Sequence, residues 1–178
     1  MKSPRSSAAS SAQLVLGLGS NAGDREATLR WALGELDRLL GPLRIAPLYR
    51  SRAISPIEQP DFFNTVALAP MTPDLPSPED LLGHAKRFER DAGRRPTATR
   101  DAPRPLDIDL LICGTELRTD PALTLPHPRL RERRFVLAPL CDLAPDLLLP
   151  PDGITASACL AALGTDQEVE KIGWTLAP

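Results

Sequence analysis

Leu106-Asp107-Ile108-Asp109-Leu110-Leu111-Ile112 is the stretch on which the reading of this chain turns. Side chains alternate along a strand, so Asp107 and Asp109 share one side while Leu106, Ile108, Leu110 and Ile112 share the other. A strand with such an apolar side needs a layer to cover it, and the residues upstream supply one. Ser77-Pro78-Glu79-Asp80 has the marks of a helix start: a capping serine, a proline in the first turn, and acids at the positive end of the dipole. That helix is expected to run to about residue 92, with Leu81, Leu82, Ala85, Phe88 and Ala92 inward and Gly93 as terminator.

Farther out, residues 14–18 are strongly apolar and end at Gly19-Ser20-Asn21-Ala22-Gly23, a buried strand and its turn. Asp24 can cap a helix whose Leu29, Leu33, Leu36 and Leu40 share a face, stopped by Gly41 and Pro42. A second strand is expected over about 43–51, then a polar loop with Pro56, Glu58 and Pro60, then a third strand over about 63–69. Beyond the quoted strand come a turn at Gly114, a short strand, Pro126-His127-Pro128, and helices over 135–143 and 156–163. The order β-α-β-β-α-β with extra C-terminal helices predicts an α+β fold, a ferredoxin-like sandwich with a mainly antiparallel sheet.

The length of 178 residues suits one domain, expected over 14–178. Residues 1–13 are rich in Ser and Ala and lack the apolar stretch of a secretory signal, so they are read as a disordered leader. No apolar run reaches the length of a membrane span. Cys113, Cys141 and Cys159 are odd in number, widely spaced and without a CxxC pattern, which argues against a zinc site or disulfide framework. Reduced thiols and a cytoplasmic location are the expectation. The 20 prolines are scattered, and there is no internal repeat.

A net charge of −2 offers no global attraction to nucleic acid or anionic lipid. Local charge differs. Residues 93–104 carry four arginines against one aspartate, and residues 127–134 carry four against one glutamate. Two basic segments therefore flank a strand bearing two acids, which suits a metal-bound polyphosphate better than a duplex-binding face.

Asp107 and Asp109 would stand roughly 6–7 Å apart along the strand, a spacing that can share or bracket magnesium ions. Taken alone, the pair also fits two acids on a solvated face. Arg104 lies three residues before Asp107, where a guanidinium can take phosphate oxygens in a bidentate way. The loop from Gly93-Arg94-Arg95-Pro96 to Asp101-Ala102-Pro103-Arg104-Pro105 is long enough for a lid. His127, stiffened between two prolines, can donate to phosphate, with Arg133 six residues on. Phe62-Phe63-Asn64 joins aromatic surface to an amide that can read the edge of a flat heterocycle, or forms a core pair with a turn asparagine. Gly17-Leu18-Gly19-Ser20-Asn21 is neither GxGxxG nor GxxxxGK[ST], and there is no GxSxG, so Rossmann, P-loop and serine-triad readings fall away.

In order along the chain, several pieces together resemble the 6-hydroxymethyl-7,8-dihydropterin pyrophosphokinase family. The first are Gly17-Leu18-Gly19-Ser20-Asn21, Tyr49-Arg50-Ser51, Gln59-Pro60-Asp61-Phe62-Phe63-Asn64, and Glu89 through Gly93-Arg94. The rest are Pro103-Arg104-Pro105-Leu106-Asp107-Ile108-Asp109, Leu125-Pro126-His127-Pro128 and Arg133-Arg134-Phe135-Val136-Leu137-Ala138-Pro139-Leu140. The resemblance covers roughly residues 14–150.

It implies a diphosphotransferase of folate biosynthesis that moves diphosphate from ATP to 6-hydroxymethyl-7,8-dihydropterin. Asp107 and Asp109 would bind two magnesium ions with ATP. Arg104, His127 and Arg133 would steady the triphosphate, helped by Arg94 from the lid, with Leu110 and Thr124 where the family uses backbone groups for adenine. Phe62 and Phe135 would stack the pterin, Asn64 would bond its edge, and backbone groups from Ser51 to Ile54 would complete the pocket. Small-molecule partners and a monomer are expected.

Departures stand at Asp101 (a lid tryptophan in many members), Lys86 (commonly uncharged), Pro96 (a basic lid residue) and Pro128 (tyrosine in some). They motivate an alternative, a degenerate paralogue that binds pterin or nucleotide without turnover. A DxD phosphatase is disfavoured by Leu111 and by the strand order, and an RNA-binding module by the charge and the lack of an aromatic RNP-type strand.

Overall fold

The computed structural model describes residues 13–53, 55, 58–95 and 102–175. The chain begins β1 (Gln13–Ser20), α1 (Arg25–Leu40), β2 (Arg44–Ile45), β3 (Tyr49–Ser51), β4 (Phe62–Pro70), α2 (Pro78–Asp91) and β5 (Asp107–Cys113). It continues β6 (Arg118–Thr119), β7 (Thr124–Leu125), a 3-10 turn at Leu130–Glu132, α3 (Arg134–Leu143), β8 (Leu148–Leu149), β9 (Ile154–Thr155), α4 (Ala156–Ala162) and β10 (Val169–Lys171). One sheet has the order β10-β3-β4-β1-β5, with β2 also beside β4, and every pairing is antiparallel. The mixed helix and antiparallel-sheet architecture agrees with the sequence reading.

Local chemistry sets the helix ends. The Asp24 side chain accepts from the Ala27 amide, and Gly41 closes α1 at a φ of 80° that favours glycine. Ser77 accepts from the Asp80 amide at the start of α2, as its sequence predicts. Alternation then sorts β1 between two layers: Leu14, Leu16 and Leu18 pack with Leu29, Leu33 and Leu36 of α1 and Phe88 of α2. Val15 packs on the opposite layer with Leu137 and Leu140 of α3 and Cys159 of α4. Helices thus cover both faces of the sheet.

Four details correct the sequence reading. Gln13 is the first residue of β1, not part of a leader, and residues 1–12 lie outside those described. The expected strand over 43–51 is two short strands, because Pro47 has no amide to give a ladder. The gap stays tied down: Ala46 donates its amide to Val66 at 2.9 Å, while its carbonyl accepts from Thr65 Oγ1 at 3.0 Å and Trp174 Nε1 at 2.9 Å.

Third, β5 does not alternate regularly to its end. Val15 pairs with Ile112 but Leu16 pairs with Leu110, so Leu111 is an extra residue, a bulge. The bulge turns Ile112 into the α3/α4 layer beside Leu111, away from the side of Ile108 and Leu110. Glycine at 17 makes room for it, since a Cβ there would stand 3.2 Å from Leu111 Cδ1. Fourth, the edge strand β10 is absent from the sequence reading because Val169-Glu170-Lys171 is too short and polar to show a pattern.

That edge is fastened by the only tyrosine of the chain. Tyr49 donates its hydroxyl to Asp142 Oδ2 at 2.8 Å, and Lys171 reaches the same oxygen at 3.0 Å. Burial, then the bond and charge of Asp142, push the phenol well above its ordinary 10.0. A raised folded value means that this stabilisation is complete below about pH 10 and is lost as pH rises toward the folded pKa. Spectrophotometric titration of the folded protein should therefore show no tyrosinate near pH 10, its absorbance developing only above that or with unfolding. Ionisation at the ordinary value, with circular dichroism unchanged, would refute the buried hydrogen bond.

Candidate active site

Asp107 and Asp109 enter the structure on β5 opposite Gly19 and Gly17 of β1. Both acids line a cavity of about 700 Å³. Besides Gly17, Leu18 and Gly19 of β1, its walls bring together residues from five separate segments: Ser51; Phe62 and Asn64; Lys86 and Arg94; Arg104; and Arg129, Arg133 and Phe135.

Each acid is held by guanidinium groups. Arg94 Nη1 donates to Asp107 Oδ1 at 2.7 Å, and Arg104 Nη1 to Oδ2 at 3.1 Å. Burial alone would raise the Asp107 carboxyl, but Arg104 and Arg94 outweigh it and hold the group below the ordinary carboxylate range. Arg133 Nη1 donates to Asp109 Oδ2 at 2.9 Å. His127 Nε2 stands 3.9 Å from the same oxygen.

The bulge in β5 positions that histidine, because the Leu111 carbonyl accepts the His127 amide at 2.8 Å. His127 Nδ1 accepts from the Arg129 amide at 3.1 Å, so the neutral ring carries its hydrogen on Nε2. Burial pushes its pKa below the usual value; Asp109 opposes this, and Arg133 and Arg129 reinforce it. At neutral pH the ring is an uncharged donor turned toward Asp109.

The aromatic side is equally ordered by alternation. Phe62 and Asn64 of β4 face the cavity, while Phe63 packs in the α1 layer beneath the Arg25 guanidinium, 3.8 Å from the ring centre. Asn64 Nδ2 donates to Ser51 Oγ at 2.9 Å. Gly19 permits this approach, for a Cβ there would stand 3.1 Å from Asn64 Oδ1 and 3.6 Å from Phe62 Cδ1. The Arg104 guanidinium lies 5.9 Å from the Phe62 ring, and that of Arg133 lies 5.5 Å from the Phe135 ring. The two arginines therefore stand between the acids and the aromatic walls.

The predicted residues do not all meet. Leu110 is buried in the α1/α2 layer, and Thr124 on β7 bonds the Asp120 carbonyl at 3.3 Å; neither side chain lines the cavity. Ile54, Pro96 and Asp101 lie outside the described residues.

A profile of the family described as 7,8-dihydro-6-hydroxymethylpterin-pyrophosphokinase (HPPK) matches residues 15–145 of this chain. The chain belongs to the HPPK family. A Pseudomonas aeruginosa 2-amino-4-hydroxy-6-hydroxymethyldihydropteridine pyrophosphokinase is 39% identical over 155 residues, covering 84% of this chain and 91% of that protein. An Arabidopsis thaliana folate synthesis bifunctional protein is 34% identical over 165 residues, covering 90% of this chain but 34% of its own length. An HPPK-DHPS crystal structure in complex with substrates shares the fold at a TM-score of 0.64 and 12% identity, over 84% of this chain and 43% of that one.

Beyond the residues predicted for an HPPK site, the structure adds Glu89. It is 2% exposed on α2, accepts the Ile108 amide at 3.0 Å, and holds both Lys86 (2.9 Å) and Arg94 (2.7 Å). Arg94 thereby bridges Glu89 and Asp107. The signal was present: Glu89 falls on the buried stripe of α2 with Leu81, Ala85 and Phe88, and a carboxylate there requires partners. Lys86, noted only as a departure, is one of those partners.

Removing the carboxylate leaves the Ile108 amide without this acceptor, takes the counter-charge from Lys86 and leaves Arg94 held by Asp107 alone. Glu89→Ala is expected to cost about 3 kcal/mol or more in urea unfolding, and Glu89→Gln clearly less. Equal and small losses would show that the carboxylate anchors neither Arg94 nor β5.

Proposed function

We propose that the cavity floored by Asp107 and Asp109 is the active site of this HPPK-family chain. The reaction is transfer of diphosphate from ATP to 6-hydroxymethyl-7,8-dihydropterin, a step of folate synthesis. The observation that carries the site assignment is the juxtaposition in one cavity of two arginine-bound carboxylates with Phe62, Asn64 and Phe135. One end suits a metal-bound polyphosphate and the other a flat heterocycle with a polar edge. We also read the strand order, with each half a β-α-β unit, as the ferredoxin-like arrangement.

The donor set fits magnesium. Among the described residues no group of three or more His, Cys, Asp or Glu could cage a metal. Two carboxylates alone suit magnesium, which takes its remaining ligands from water and phosphate. Asp107 and Asp109 would hold it, and when bound it neutralises the polyphosphate. Arg94, Arg104 and Arg133, which now neutralise the acids, would then turn their guanidinium groups toward phosphate oxygens. His127 would donate from Nε2 without adding charge.

On the other side, Phe62 and Phe135 would clamp the pterin ring, with Asn64 and the Ser51 segment on its edge. The hydroxymethyl oxygen then attacks the β-phosphorus in line. The new oxygen–phosphorus bond forms as the bond from the β-phosphorus to the α-bridging oxygen breaks. AMP leaves, and the hydroxyl proton is released. Alignment and charge neutralisation carry such a transfer, without a covalent enzyme intermediate.

Asp109→Ala should leave the fold intact by circular dichroism while lowering AMP formation from ATP and hydroxymethyldihydropterin at least about 100-fold. Ordinary turnover at ordinary magnesium concentration would overturn the metal assignment. Wild-type protein that binds pterin but forms no AMP would instead establish the non-transferring alternative.

Phe62→Ala should raise the KM for the pterin about tenfold through lost stacking and leave that for ATP within about twofold. An equal rise in both constants would place the ring elsewhere than against the pterin.

A further inference from the structure

Asn21 is fully buried at the end of β1, lines no part of the cavity, and yet is bonded to both of its arms. Its Oδ1 accepts the Arg104 amide at 2.8 Å, and its backbone N–H donates to the Arg104 carbonyl at 3.1 Å. This two-bond clasp holds the backbone of the residue whose guanidinium reaches Asp107. On the opposite side Asn21 Nδ2 donates to Gln59 Oε1 at 2.7 Å and to the Pro60 carbonyl at 3.2 Å. Pro60 lies two residues before Phe62. The two backbone partners have fixed polarity, an amide that must donate and a carbonyl that must accept, so the orientation of the Asn21 amide is settled.

We infer that Asn21 is a positioning residue that holds the polyphosphate arm and the heterocycle arm of the cavity in register. The inference rests on the functional reading above. Few side chains can serve here. The site needs one acceptor and two donors within a short reach, which is the inventory of a primary amide. Aspartate keeps the acceptor but sets an oxygen against the Pro60 carbonyl, which cannot turn round. Alanine loses every side-chain bond. Register between the arms matters because an in-line transfer is sensitive to displacements of about 1 Å, which can lower a rate about 100-fold.

The test uses Asn21→Asp, Gln59→Leu and, as a destabilised control at a residue that does not line the cavity, the helix-cap variant Asp24→Ala. Amide hydrogen exchange is followed in the free protein, and kcat and both KM values are taken from AMP formation. For Asn21→Asp, exchange should accelerate at least about tenfold in residues 58–62 and 102–105 together, with residues 14–18 unchanged. Its kcat should fall about 100-fold at a melting temperature no lower than that of the control, whose kcat stays at the wild-type value. Gln59→Leu, which cuts only one arm, should accelerate exchange in 58–62 alone and raise only the pterin KM; it also carries the test if Asn21→Asp does not fold. A kcat for Asn21→Asp within about twofold of wild type, or acceleration spread equally over β1, would overturn the clasp. Wild-type protein without AMP formation would defeat the functional reading, while the exchange pattern would still decide whether Asn21 joins the two arms.

Discussion

Strand β1 is covered on both sides by helices and flanked on both edges by β4 and β5, and it carries no side chain at Gly17 or Gly19. Those two positions lie opposite Asp109 and Asp107. At 17 the missing side chain admits Leu111; at 19 it admits Asn64 and Phe62. Ordinary side chains would fill the space in which the cavity opens. The apolar positions of the same strand, Leu14, Leu16 and Leu18, anchor the α1/α2 layer. One strand therefore builds the core with one face and clears the site with the other.

Charge is organised around the acids in a second tier. Asp107 lies between Arg94 and Arg104, and Arg94 is itself held by Glu89 beneath it. Asp109 has Arg133, with His127 kept neutral behind it. Pairing satisfies the carboxylates in the free protein and keeps the cations close without a rigid cage. Under the proposed function a polyanion and its metal would exchange partners with these pairs, because each guanidinium and each carboxylate would find an opposite charge in the new arrangement. The buried Glu89 also accepts the Ile108 amide at 3.0 Å, which ties α2 to the start of β5.

The bulge at Leu111 shows how packing and chemistry meet in one residue. It turns Ile112 into the α3/α4 layer beside Leu111, and the Leu111 carbonyl there takes the His127 amide. Without the extra residue, regular alternation would send Ile112 to the other face and leave the segment around His127 with a different anchor. The helices show the opposite case, where local chemistry was sufficient. Asp24 and Ser77 cap α1 and α2 as their sequence positions predict, and Gly41 and Gly93 end them with positive φ.

What the sequence determined by itself was local or periodic. Helix caps, the apolar stripes of α1 and α2, and the shared side of Asp107 and Asp109 follow from interactions within a few residues. The ordered motifs also carried the family. The tertiary structure alone decided the bulge at Leu111, the break at Pro47 between β2 and β3, and the edge strand β10 against β3. It also decided the partners of Asn21 and Glu89, separated from Arg104 and Ile108 by 83 and 19 residues. Such bonds join segments with no common local pattern, and their geometry exists only once the sheet has brought the strand ends together. The two aspartates were legible because alternation is a property of one strand. The arginine and amide framework around them was settled by how five separate segments meet.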